Sequence, residues 1–322
     1  MRKLLLLSLL ALGYQSASAQ LVTESFGSGA NAFTMDFVTI GNPNNAADTT
    51  GAPNPAGSVA YTYNLGKYEV SRGQIDKANA AGSLGITMFS DFSNGNEAWD
   101  GVNKPATGIN WNEAAKYVNW LNTSTGGTAA YKFDGSGSFQ LWSTTDAGYN
   151  ANNMFRNSLA KYVIASTDEW YKGAYGNLDG TWNNYPTGSD SAPTAVASGT
   201  AANTAVWGQS WPTGPADITS AGGLSPYGTM GQGGNAWEWN ETALDGINDT
   251  VGENRPLRGG SSFDSFWEMQ ASDGSSLYLS LTPTDEHNVG DGFRVASVPE
   301  PSSLSLLALG GVVVALRKRK RV

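Results

Sequence analysis

The 322-residue chain contains no cysteine. Disulfides, thiolate metal sites and thiol nucleophiles are therefore excluded on this chain. The constraint is sharper because the sequence opens like an exported protein. Arg2 and Lys3 precede an apolar run from Leu4 to Gly13, and Ala17-Ser18-Ala19 supplies the small residues a signal peptidase accepts. The pattern predicts a signal peptide over 1–19, cut after Ala19. The run is too short to span a bilayer, which takes about 20 residues. An exported domain without cross-links must be held together by its core, with bound ions as a further source of stability. The 35 aromatic residues, 11 of them Trp, can supply such a core.

The other end carries a second address. Pro299-Glu300-Pro301 precedes an apolar stretch, Leu304 to Leu316, stopped by Arg317-Lys318-Arg319-Lys320-Arg321. An apolar segment ended by a basic cluster reads as a membrane segment with its charged end held in the cytoplasm. As a helix those thirteen residues reach only about 20 Å, short for a permanent anchor. This order resembles the PEP-CTERM sorting signal of Gram-negative bacteria. The resemblance implies an exosortase-type membrane enzyme that cuts near Pro299–Pro301, with transient membrane contact through the C-terminal segment. An ordinary tail anchor is the alternative. Both place the protein outside the cytoplasm, in the cell envelope, on the cell surface or beyond it.

Between leader and tail (298–322) lie residues 20–297, a length that fits one domain. Seven of the 19 basic residues sit in the two ends, leaving 12 against 27 acidic ones, so this domain carries about −15. Such a charge repels nucleic acid and anionic membranes and suits solubility or cation binding. With 40 Gly, the chain should be rich in turns. Phe33 to Ile40 and Val59 to Tyr68 read as strands, with a surface loop over 42–57. Glu69 to Ala81 has helical composition. The clearest helix starts at Asn110, which can cap the chain while Glu113 reaches back; Trp111, Ala114, Ala115, Val118 and Leu121 then share one face, and Gly126-Gly127 ends it. A short helix is expected over Thr167–Tyr175, started by Ser166 or Thr167. From Asn177 to Ser225 the chain reads as long packed loops whose Trp182, Tyr185, Trp207 and Trp211 need somewhere to bury. The fold class is α+β, loop-rich, with short strands and two or three helices.

Four segments carry a family resemblance. Pro105-Ala106-Thr107-Gly108-Ile109-Asn110-Trp111-Asn112-Glu113-Ala114 opens the main helix, and Tyr162 through Trp170 forms the second piece. Gly233-Gly234-Asn235-Ala236-Trp237-Glu238-Trp239 is the third. Leu257-Arg258-Gly259-Gly260-Ser261 with Gly292-Phe293-Arg294-Val295-Ala296 closes the set. Together they resemble the formylglycine-generating enzyme, or sulfatase-modifying factor, family. The resemblance implies a variant of the C-type lectin fold.

It also implies chemistry that these residues do not supply. In the active enzymes two cysteines lie six and eleven residues beyond the Arg of the Arg-Gly-Gly-Ser piece and bind copper. Here those positions hold Asp264 and Met269, and soft Cu(I) needs soft ligands, so no copper is expected. His287 is the single histidine. It cannot build the two-His-one-carboxylate site of non-haem iron oxygenases, and no Gly-x-Ser-x-Gly elbow accompanies it. Structural calcium stays open: the resemblance implies carbonyls from Gly234 and Ala236 and the carboxylate of Glu238 as ligands. A further ligand would fall at Gly231, which has no side-chain oxygen. Glu238 with Glu241 or Asp245 is a weak candidate for a glycosidase pair, since sequence proximity cannot set the 5 to 10 Å separation required, roughly. The sequence thus points to an exported, non-catalytic binding or display module that contacts carbohydrate or a surface protein. An enzyme with an unrecognised site on the same scaffold is the rival reading.

Overall fold

The computed structural model describes residues 20–89, 99–273, 283 and 289–298. Its central element is a five-stranded antiparallel sheet in the order β1-β2-β3-β12-β6. These strands are β1 (Leu21–Phe26), β2 (Phe33–Ile40), β3 (Tyr63–Gly66), β6 (Tyr162–Ile164) and β12 (Val295–Ser297). The last strand of the domain lies between β3 and β6, so the sheet is completed only when the C-terminal part of the chain inserts. A small second sheet joins β9 (Trp237–Trp239), β10 (Leu257–Arg258) and β11 (Asp291–Gly292). Two-residue pairs β4/β5 (Lys132–Phe133, Phe139–Gln140) and β7/β8 (Thr194–Ala195, Thr204–Ala205) pin loops.

Three α-helices are described: α1 (Arg72–Gly82), α2 (Trp111–Ser124) and α3 (Thr167–Tyr175). Each starts with a reciprocal capping box, from Ser71 with Gln74, Asn110 with Glu113 and Ser166 with Glu169. Two orphan donors are thereby satisfied at every start. The boundaries of α2 and α3 follow the sequence reading. α1 starts later than expected, because Val70 instead pairs across the chain: its N–H donates to Phe293 O, and its carbonyl accepts from Ala106 N–H. The expected strand 59–68 shortens to β3, and β1 was not anticipated at all. The sequence reading also put α2 on one apolar face. In fact ten of its 14 residues are buried, so it is covered on several sides.

One side chain locks α2 to β6. Asn122, fully buried, donates to Val118 O and Tyr162 O and accepts from the Lys161 and Tyr162 N–H groups. Arg156 plays a similar part where β6 leads into α3. Its guanidinium donates to both oxygens of Glu169, at 3.0 and 2.9 Å, and to Glu241 at 2.7 Å. Burial alone would push the Glu169 carboxyl up, but the Arg156 charge and the donors around it outweigh that and hold it below its ordinary value of 4.5.

Two predictions follow from these contacts. Asn122→Ala strands buried backbone groups of β6 and should cost about 3 kcal/mol in denaturant unfolding, each lost partner being worth roughly 1–3 kcal/mol. A cost near zero would remove Asn122 from the account. For Glu169, a depressed folded pKa means its stabilisation is complete above 4.5 and fades as pH falls through the lower folded value. Stability measured by urea titration at stepped pH should therefore drop on the acid side, and Glu169→Gln should flatten that drop.

Candidate functional site

The Gly-Asn-Ala-Trp-Glu-Trp segment, in which the sequence placed a calcium site, forms β9 and the turn before it. Trp237 and Trp239 pack into the core, with Trp239 Nε1 donating to Ile109 O. Glu238 is fully buried, and both its oxygens have partners. Arg294 donates to Oε1 through Nη2 at 2.6 Å and to Oε2 through Nε at 2.7 Å, and Trp170 Nε1 donates to Oε2 at 2.6 Å. The remaining donors of Arg294 go to the carbonyls of Gly66, Lys67 and Met230.

A second carboxylate lies beside this pair. Glu69 is almost fully buried and accepts from Asn235 Nδ2 and Ala236 N–H. Burial, with Glu238 nearby, pushes its carboxyl well above the usual carboxylate range, while Arg294 opposes the shift. Gly231 has φ of 77°, and a Cβ there would come within 2.9 Å of Glu69 Oε2. A side chain at Gly231 would thus meet both an unfavourable backbone conformation and the Glu69 carboxylate.

These residues do not fit a calcium ion. A cation at Glu238 would have to share its carboxylate with a guanidinium at hydrogen-bond distance, against direct charge repulsion. Among the described residues, no group of three or more His, Cys, Asp or Glu side chains is arranged to hold a metal. The partners of Glu238 are a guanidinium and an indole. The Glu238–Glu241 glycosidase pairing fares no better, because Glu241 is buried against Arg156, Asn153 and Tyr131. His287 lies outside the described residues.

Asp264 and Met269, at the positions of the family's thiols, are drawn into a tight loop. Gly259 and Gly260, with φ of 98° and 76°, turn the chain out of β10. Asp264 Oδ2 then accepts from Ser261 N–H and Oγ. Met269 is fully buried beside Tyr185 and Ala205, with Trp207 and Phe266 packed against that cluster. The carboxylate closes the turn and the buried thioether fills a gap.

The same loop carries what the sequence reading missed. Gly208 N–H donates to Asp264 O and Gln209 N–H to Ser262 O, which lays the 207–211 segment along it. Two aromatic ladders result. In one, Phe263 lies 6.0 Å from Trp211 and 5.4 Å from Trp99, ring centre to ring centre. In the other, Phe266 lies 5.6 Å from Trp207 and 4.5 Å from Trp267. The outer rings are open, with Trp211 and Trp267 each 60% exposed. Of the aromatics expected to bury within 177–225, Tyr185 does, Trp182 and Trp207 do in part, and Trp211 does not. Nearby, the buried Trp99 Nε1 and Ser262 Oγ have no hydrogen-bond partner among the described residues.

Comparison with known proteins bears on this geometry. A family profile described as the sulfatase-modifying factor enzyme 1-like domain matches residues 29–298. A PEP-CTERM protein-sorting motif matches residues 297–320, which marks the protein as exported to the cell envelope and processed by exosortase-type machinery. No curated protein matches the chain. Among solved structures, Treponema denticola variable protein 1 is similar at a TM-score of 0.58 and 17% identity, covering 86% of this chain and 99% of its own. CarF aligns at 0.55 and 19%, covering 82% and 98% respectively. PvdO from Pseudomonas aeruginosa aligns at 0.51 and 16%, covering 86% and 98%. At these identities the likeness shows a shared fold.

The buried pair generates a prediction. Arg294→Met leaves the Glu238 carboxylate buried without its cation and should cost about 3–5 kcal/mol. Restoring neutrality with Glu238→Gln in the same chain should recover part of that loss. A chelator should leave the thermal midpoint of the native protein unchanged; a drop on chelation would show that an ion is bound after all.

Proposed function

The chain belongs to the sulfatase-modifying factor enzyme 1-like domain family, and from that membership we propose that it serves as a non-catalytic glycan-binding module displayed at the cell surface. The observation that carries this reading is the exposed pair, Trp211 and Trp267, each backed by a buried or half-buried ring ladder. Stacking on Phe263 and Phe266 fixes their orientation, so little side-chain entropy remains to be lost on binding. Open, rigid aromatic faces suit the apolar faces of sugar rings. The charge of the domain selects among glycans. At about −15 it repels uronic-acid or sulfated polymers, which leaves neutral polysaccharide as the better partner.

The rival reading, an enzyme with an unrecognised site, has one feature in its favour. A cleft of about 630 Å³ is lined in part by Phe33, Tyr68, Glu69, Asp76 and Ile218. Its one deeply buried carboxylate, Glu69, is already held by Asn235 and Ala236. That arrangement favours a structural carboxyl over a proton-transfer group.

Affinity electrophoresis of the purified domain in gels of neutral or acidic polysaccharide tests the proposal. Neutral gels should retard it and acidic gels should not. Trp211→Ala and Trp267→Ala should each weaken retardation about tenfold, equivalent to about 1.4 kcal/mol, without shifting the thermal midpoint. Retardation unaltered in both variants would refute the aromatic surface as the binding site.

A further inference from the structure

The two processed ends of the domain emerge on the same side of the main sheet. The register places Ser297 opposite both Tyr162 and Asn64, and Asn64 opposite Thr39. Thr39 N–H in turn donates to Gln20 O. One row, Tyr162–Ser297–Asn64–Thr39–Gln20, therefore runs across one end of the sheet. Gln20 and Ser297 stand three strand spacings apart, or about 14 Å. The expected leader junction after Ala19 and the sorting tail after Val298 both leave from this row.

Almost no slack separates the row from the tail. Val298 N–H still donates to Lys161 O at 2.9 Å, so the fold grips the chain up to the residue before Pro299. Only five residues, 299–303, lie between that bond and the apolar segment starting at Leu304, and two of them are Pro. Fully extended, they reach at most about 18 Å. The headgroup layer takes roughly 5 to 7 Å of that length. A domain of this size has a radius of gyration of about 19 Å. While the tail segment is inserted, the leash is shorter than the domain is wide, and the domain cannot turn over.

The aromatic loop lies at the other end of the same path. Gly290 sits against Ser261, so close that a Cβ on it would come 3.0 Å from Ser261 Cβ. From Gly290 the chain runs through β11 and β12 toward Ser297. The path thus starts at Gly290 beside the aromatic loop and finishes at the row where the tail leaves.

We propose that the end of the sheet bearing Gln20, Leu159, Lys161 and Ser297 is the membrane-facing surface of the protein, and that it holds the Trp211–Trp267 surface away from the bilayer. The occupant of this face is the lipid surface that receives the chain's own 304–316 segment. Leu21 and Leu159, 53% and 45% exposed, lie at this end, and the Lys161–Glu24 pair beside them adds no net charge. The face is therefore less repelled by lipid headgroups than the rest of this acidic domain. A membrane-embedded processing enzyme would meet Pro299 directly beneath the folded sheet. The orientation stands on geometry alone, whether or not the aromatic surface binds glycan.

The absence of cysteine makes the test direct, since one introduced cysteine is a unique label site. The full-length chain carrying Leu159→Cys or Ser210→Cys is labelled with a fluorophore and reconstituted into phosphatidylcholine vesicles containing nitroxide-headgroup lipid. Flotation confirms binding. Quenching should be several-fold stronger at position 159 than at position 210. Equal quenching, the reverse order, or a chain that fails to float with the vesicles would each overturn the proposal. No glycan enters the measurement, so its failure would leave the binding reading standing, and failure of the binding reading would leave this one.

Discussion

A guanidinium and a carboxylate, both fully buried, join parts of the chain that have no other reason to meet. Arg294 leads into the last strand of the main sheet, and Glu238 is the middle residue of the small sheet. Through the same guanidinium the carbonyls of Gly66, Lys67 and Met230 are gathered, and Trp170 brings α3 to the other side of the carboxylate. Desolvating two such ions is expensive, and only near-complete hydrogen bonding offsets that cost. Here every N–H of the guanidinium has an acceptor, so the pair specifies how the two sheets and α3 are arranged.

The segments that carry the family resemblance are those that meet at this pair. Glu238, Arg294 and Trp170 come from three of them, and Trp111 of the fourth donates to Asn240 O just beyond β9. Arg258, of the Arg-Gly-Gly-Ser piece, is buried over the rings of Trp170 and Tyr171. Their shared role in this chain is architectural. The residues that pin the scaffold are distinct from Asp264 and Met269, the positions aligned with the family's thiols by counting from Arg258. Asp264 and Met269 occupy the thiol positions and are absorbed into turn and packing.

What the sequence disclosed and what it hid divide along the range of the interactions. The starts of α2 and α3 were legible because a capping box is written within four consecutive residues, as at Asn110–Glu113 and Ser166–Glu169. β1 was not, because as an edge strand it buries only Phe26 and shows little apolar alternation. Glu69 reads in sequence as the first residue of a helix. Its real partners, Asn235 and Ala236, lie 166 and 167 residues away, and no local pattern reveals them. Calcium stayed open in the sequence because Glu238 has suitable chemistry in a suitable motif; the guanidinium that engages it stands 56 residues further on. Trp211 was assigned to the interior on composition alone, which cannot say which rings of an aromatic-rich loop face out.

The missing cysteines tie these threads together. Without disulfides, the long segment between α3 and β9 has to be anchored by other means, and the structure uses backbone pairing and ring stacking. The 207–211 segment is zipped to 262–264, and Trp207 and Trp211 lean on Phe266 and Phe263. Rings recruited as anchors near a surface cannot all be covered, because covering each would need another layer of protein. The outermost ones, Trp211 and Trp267, are therefore both the end of the packing and the start of an exposed apolar surface. An exposed apolar patch of this kind on a folded domain marks an interaction surface. β11 and β12 carry the chain from Gly290, packed on Ser261 of this loop, to the end of the main sheet where the sorting tail begins.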